Sequence, residues 1–124
     1  ANLALTKVGC KYSQEHRYEE GYYDCSSLVQ RLYQEVGISL PAIASTQGEF
    51  MVTHGLEVTE GELEPGDLIF YSYEQNGQFR NISHVAIYVG NGRMVHAANS
   101  RRGVVNDPFN PSNIGLYGSP SRLQ

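Results

Sequence analysis

The sequence predicts an α+β domain, with amphipathic helices in its first half and antiparallel strands in its second. Three observations carry this expectation. Leu28, Val29, Leu32, Tyr33 and Val36 recur at three- and four-residue spacing, the stripe of a helix that buries one face. Glu64-Pro65-Gly66-Asp67 forms a turn ahead of the apolar run Leu68-Ile69-Phe70-Tyr71. Residues 83–89 and 93–98 flank Gly90-Asn91-Gly92, a strong hairpin signal.

Residues 3–8 form a short opening helix with Leu5 and Val8 on one side. Residues 11–23 are polar and aromatic with little periodicity and read as a long loop, a feature often functional in a compact domain. The main helix runs over 25–36, with Asp24 as N-cap and Gly37 as its stop. After Pro41 a second helix is expected over 45–54, capped by Ser45 or Thr46, with Glu49 completing a capping box. Residues 74–80, which hold Asn76-Gly77, make an excursion between strands. Gly103-Val104-Val105 adds a strand before a tail rich in Pro and Asn.

With 124 residues the chain suffices for one domain, 1–124, and is too short for two. Such a domain buries roughly two-thirds of its unfolded surface, so it needs no disulfide or metal staple. No apolar run approaches the ~20 residues of a membrane span. Nine Lys and Arg against thirteen Asp and Glu give a net charge of −4, which argues against nucleic acid as partner. Nine tyrosines and no tryptophan suit a groove for sugars or peptides, and suit a core equally.

Tyr23-Asp24-Cys25-Ser26-Ser27 places a cysteine at the first turn of the main helix. Unpaired backbone N–H groups there favour the thiolate and lower a thiol pKa. A thiolate nucleophile needs an imidazole, and that imidazole needs an orienting group. His84 and His96 sit on the two strands of the hairpin. A two-residue Asn91-Gly92 loop would turn them to opposite sides. A three-residue loop would pair Ala86 with His96 and put His84, Ala86, Tyr88, Met94 and His96 on one face. The three-residue loop is the expectation. Cys25, His84 and His96 lack the spacing of a zinc site, so no metal is expected. His16 and His54 are assigned no chemistry. Cys10 and Cys25 are expected to be unbridged, since a disulfide would destroy the nucleophile.

Three blocks now carry a resemblance. Residues 23–29, Pro65-Gly66-Asp67-Leu68-Ile69-Phe70 and residues 83–97 resemble, in order and spacing, the NlpC family of papain-like cell-wall cysteine endopeptidases. The resemblance implies a reduced papain-like fold, with the nucleophile helix packed on a small antiparallel sheet. It implies Cys25 as nucleophile, His84 as general base and acid, and His96 as the residue orienting His84. It further implies that Tyr12 lines the site and that Asp24 and Ser26 contact a peptidoglycan stem peptide. The bond cut would lie between D-glutamate and a diamino acid, with no cofactor.

Three departures stand out. The stretch 13–22 lacks the family's Gly-Gly, Ser27 replaces a usual Gly, and Pro41-Ala42-Ile43-Ala44 replaces Pro-Arg-x-Ser. Tyr12-Ser13-Gln14 with Arg17 resembles a subset from Gram-positive bacteria, their phages and mobile elements. A secreted or wall-associated monomeric domain, excised from a longer protein, is expected. An amidase or acyltransferase using the same site, or a non-catalytic wall-binding module, remain open alternatives.

Overall fold

The computed structural model describes residues 1–123. Its helices are α1 (Asn2–Leu5), α2 (Cys25–Glu35) and α3 (Ala44–Thr53). A parallel pair of two-residue strands, β1 (Lys11–Tyr12) and β2 (Tyr22–Tyr23), brackets the loop ahead of α2. The six remaining strands are β3 (Glu57–Val58), β4 (Leu68–Tyr71), β5 (His84–Gly90), β6 (Arg93–Asn99), β7 (Gly103–Pro108) and β8 (Ile114–Gly118). They form one antiparallel sheet in the order β3-β8-β4-β5-β6-β7.

Alternation along the strands splits the apolar residues between two faces. Val85, Ile87, Val95 and Ala97 join Leu28, Val29 and Leu32 of α2 in the main core. Ile69, Tyr71, Ala86 and Met94 form a smaller cluster on the opposite face. Fully buried Leu28 and Val29 are thus what fasten α2 to β5 and β6, and each such side chain is worth about 1.5–3 kcal/mol of burial.

Asp24 caps α2 as expected. Its Oδ1 accepts from Ser27 N–H at 2.8 Å, while Asp24 N–H donates to Ser27 Oγ at 2.9 Å. The serine in place of glycine therefore completes a reciprocal box. Gly37 follows the helix with φ of 87°.

The capping expected for the second helix is corrected. α3 starts at Ala44 after Ile43, which makes no side-chain cap. Ser45 is buried and donates to Gln78 Oε1 at 3.2 Å. Thr46 Oγ1 donates back to Ile43 O at 3.0 Å. Tertiary bonds fix the entry instead: buried Gln47 donates to Pro41 O at 2.9 Å and to Ser26 O at 3.0 Å, tying α3 to the nucleophile turn. The opening helix is also shorter than expected, since Thr6 Oγ1 bonds Leu3 O at 2.6 Å as the chain leaves α1.

The hairpin reaches the expected facing by another route. Gly90 pairs with Arg93 around a two-residue Asn91-Gly92 loop, and a register shift between Tyr88 and Gly90 restores the pairing Tyr88 with Met94 and Ile87 with Val95. Asn91 and Gly92 have φ of 54° and 69°, the tight turn whose twist suits paired strands. A bulge at Val89 absorbs the extra residue. The three-residue loop is therefore corrected, while the shared face of the histidines holds.

The Pro- and Asn-rich tail carries no strand signal, yet β8 lies inside the sheet between β3 and β4. Gly115 and Gly118 hide it from propensity. Both are needed for close packing: a Cβ on Gly118 would meet Met51 of α3 at 2.4 Å, and one on Gly115 would meet Ile82 at 3.1 Å.

Candidate active site

Cys25 is the first residue of α2, and the helix packs against β5. His84, the first residue of that strand, shares a groove of about 480 Å³ with Cys25. Tyr12, Asp24 and Ser26 line the groove on the nucleophile side, and Tyr73 lines it on the sheet side. His96 lies behind His84: His84 Nε2 and His96 Nδ1 are 2.8 Å apart and share a proton. The rings meet nearly edge to face at 73°, with centroids 5.0 Å apart. His84 Nε2 is thereby engaged, leaving Nδ1 as its other ring nitrogen. Among the described residues no hydrogen bond joins the thiol to this ring.

The expected lowered thiol pKa is corrected. Burial pushes the Cys25 thiol up to about 11, and the Asp24 carboxylate adds to the rise against the Val85 and Ser26 backbone N–H groups. Desolvation of the partly buried thiol outweighs the helix terminus. Burial also pushes His84 down to about 4, with His96 second. Both shifts favour the neutral thiol and the neutral imidazole.

The other expected contacts are in the groove but occupied. Asp24 is 7% exposed. Beyond its cap, its Oδ2 lies 3.0 Å from Arg17 Nε, without the alignment of a hydrogen bond. Ser26 Oγ accepts from Arg17 Nη2 at 2.9 Å, and the same guanidinium donates to Ala42 O. Arg17 reaches this position because Arg31 of α2 holds the preceding loop, donating to the carbonyls of Arg17, Glu19 and Tyr22 at 2.8–3.2 Å. The long polar loop is thus an ordered wall.

Two groups escaped the sequence reading. Tyr73 stacks on Tyr71, with centroids 5.6 Å apart, and packs beside His84 at 6.3 Å. Burial raises its phenol pKa, and the nearby Cys25 raises it further. Asp107 of β7 lies 2.8 Å from His96 Nε2 through Oδ2, and both its oxygens accept from Arg102, at 2.7 and 2.8 Å. Charge placement in the tail offered no signal for Asp107. Its role depends on β7 pairing with β6, where Met94 faces Asp107 and His96 faces Val105.

His16 pairs with Glu19 at the surface and His54 stacks on Phe50, both apart from the groove. Both cysteines are free thiols. Among the described residues no cluster of three His, Cys, Asp or Glu side chains is disposed to hold a metal, and no helix is long and apolar enough to cross a membrane.

Comparison with known proteins identifies what this chain is similar to. The NlpC/P60 family model matches residues 9–114. The chain is 38% identical over 99 residues to the bifunctional muramidase/DL-endopeptidase CwlT of Bacillus subtilis, covering 78% of this chain and 28% of that protein. It is 33% identical over 101 residues to a gamma-D-glutamyl-L-lysine dipeptidyl-peptidase of Bacillus cereus, covering 81% of this chain and 28% of that protein. The chain thus spans under a third of these relatives' lengths. The structure of NlpC1 from Trichomonas vaginalis superposes with a TM-score of 0.80 at 30% identity, covering 94% of this chain and 41% of that one. The family-model match over most of the chain, with a fold that superposes on a solved relative, places this chain in the NlpC/P60 family.

Proposed function

We propose that this domain is a cysteine endopeptidase that cleaves the peptidoglycan stem peptide at the D-γ-glutamyl–diamino acid bond, acting outside the cell at the wall. The observation that carries the reading is the groove shared by Cys25 and His84, with His84 Nε2 bonded to His96. Relatives named as endopeptidases support the bond class.

His84 Nδ1 takes the thiol proton as Sγ attacks the scissile carbonyl carbon. A neutral imidazole can accept it, and the growing imidazolium and thiolate stabilise each other as they form. The oxyanion develops at the start of α2, where the Cys25 backbone N–H has no intrahelical partner. Tyr12, in the same groove, is placed to assist. His84 returns the proton to the departing amine, leaving a thioester. It then deprotonates water, whose attack frees the D-glutamyl carboxylate and the thiol.

Digestion of defined muropeptides, read by mass spectrometry, tests the proposal. New amino-terminal diamino acids and D-glutamyl carboxyl ends are expected, and Cys25→Ala is expected to lower turnover by about 10⁴-fold or more. Release of the whole stem from the sugar would assign an amidase instead. Full cutting by Cys25→Ala would end the proposal.

A further inference from the structure

Beyond the histidine pair, the hydrogen-bond chain continues onto one more strand, β7, and into the turn that precedes it. Asp107 lies diagonally across from His96 on the same face, because His96 faces Val105 and residues two apart share a side. Arg102, in the turn between β6 and β7, folds back and grips the carboxylate with both terminal nitrogens, at 2.7 and 2.8 Å. Such a fork both orients a carboxylate and holds it ionised. Arg102 accordingly keeps the Asp107 pKa down at about 2.

An ionised carboxylate only accepts hydrogen bonds. The 2.8 Å contact with Asp107 Oδ2 therefore requires the proton of His96 on Nε2. A neutral His96 then offers Nδ1 as a lone pair, and the 2.8 Å contact behind it requires His84 to donate from Nε2. That leaves His84 Nδ1 without a proton. It is the nitrogen a general base needs.

We propose that Asp107, clamped by Arg102, is a positioning residue that sets the tautomers of both histidines and so holds His84 in its base form. The inference rests on the reading of His84 as the base and adds two residues that touch neither substrate nor thiol. The carboxylate also faces the imidazolium that forms on His84 during acylation, through one intervening ring. The remaining ionisable groups around the two rings are Cys25, Tyr71 and Tyr73, and none of them bonds His96.

Asp107→Asn is close to isosteric but presents an amide that can donate to His96 Nε2. Donation there reverses both tautomers and places a proton on His84 Nδ1. An aspartate-to-asparagine change directly beside a catalytic histidine costs about 10⁴-fold in kcat. One imidazole further away, a fall of about 10- to 100-fold is expected, with KM within about twofold and partial rescue by Asp107→Glu. The direct readout is nitrogen NMR of the imidazoles in the unliganded domain. Wild type is expected to show His84 protonated at Nε2, and Asp107→Asn at Nδ1. Arg102→Gln is expected to keep the wild-type tautomers while moving the acid limb of kcat upward, toward the ordinary carboxylate range.

Because the NMR measurement needs no substrate, it stands or falls separately from the assignment of the bond cut. An unchanged His84 tautomer in Asp107→Asn would overturn the inference. So would equal kcat in the two proteins, or a loss matched by Asp107→Glu and explained by lowered Tm alone.

Discussion

Two aspartate–arginine pairs flank the site, and they have almost the same components. Asp24 meets Arg17 beside the nucleophile, and Asp107 meets Arg102 behind the imidazoles. What differs is the third partner. Asp24 accepts the Ser27 backbone N–H, so its charge anchors a helix end. Asp107 accepts an imidazole N–H, so its charge orients a base. Surface ion pairs add little stability by themselves. Here the group each carboxylate also holds decides whether the pair serves the fold or the chemistry. Asp24 even opposes the chemistry, since its charge helps push the thiol pKa up.

Exchanging the two aspartates for alanine should separate these roles and give the largest effects. Asp24→Ala removes the cap of α2 and leaves the half-buried Arg17 guanidinium without its carboxylate. A cap is worth about 0.5–2 kcal/mol, and a stranded charge adds to that. A loss of about 3 kcal/mol, or about 10 °C in Tm, is expected by thermal denaturation. Asp107→Ala leaves Arg102 free to reach solvent. It should cost under about 1 kcal/mol while lowering kcat at least as far as Asp107→Asn. If both variants lose stability and activity in parallel, the contrast between the pairs fails.

The pH dependence sharpens the same comparison on a smaller scale. His84 is held at about 4, below its usual 6.5. The unfolded chain therefore binds the proton first, and the stability His84 contributes above 6.5 is lost as pH falls toward 4. Asp107 is held at about 2, below its usual 3.8, so its contribution is present above 3.8 and is lost as pH falls toward 2. Urea midpoints across this range should show two successive declines, and His84→Gln should erase only the upper one. The thiol behaves oppositely. In a Cys10→Ser background, alkylation of Cys25 should rise along a limb near 11, well above the ~8.5 of a free cysteine. A limb below 8 would restore the preformed thiolate expected from helix position alone.

That reversal marks where sequence reading stops. α2, its Asp24 cap and the apolar run of β4 were legible because periodicity and capping are local properties. The common face of His84 and His96 was legible too, although the Asn91-Gly92 turn and the Val89 bulge produce it in place of a longer loop. Three things depended on distant partners. β8 carries glycines that only the approach of Met51 and Ile82 explains. The thiol pKa depends on desolvation set by the packing around it. Asp107 gains its role only through pairing with β6. Arg17 lies between these cases: with Tyr12-Ser13-Gln14 it carries part of the family resemblance, but its bonds to Ser26 and Ala42 follow from the fold.

The smallest predicted effect concerns Ser27, the third residue of α2. Its Oγ accepts the Asp24 N–H at 2.9 Å, and the side chain is fully buried. Ser27→Ala keeps helix propensity but strips that N–H of its acceptor, at a cost of about 1 kcal/mol. Ser27→Gly loses the same bond and adds the backbone entropy of glycine in a first turn, for about 1.5–2 kcal/mol in all. The difference between the two midpoints isolates propensity from capping. Because Asp24 Oδ1 still accepts the residue 27 backbone N–H in both variants, the helix end and Cys25 should stay in place and kcat should remain within about twofold. A Ser27→Gly protein that kept its Tm but lost turnover would shift catalytic weight onto this hydroxyl, and Asp24 could no longer be read as serving the fold alone.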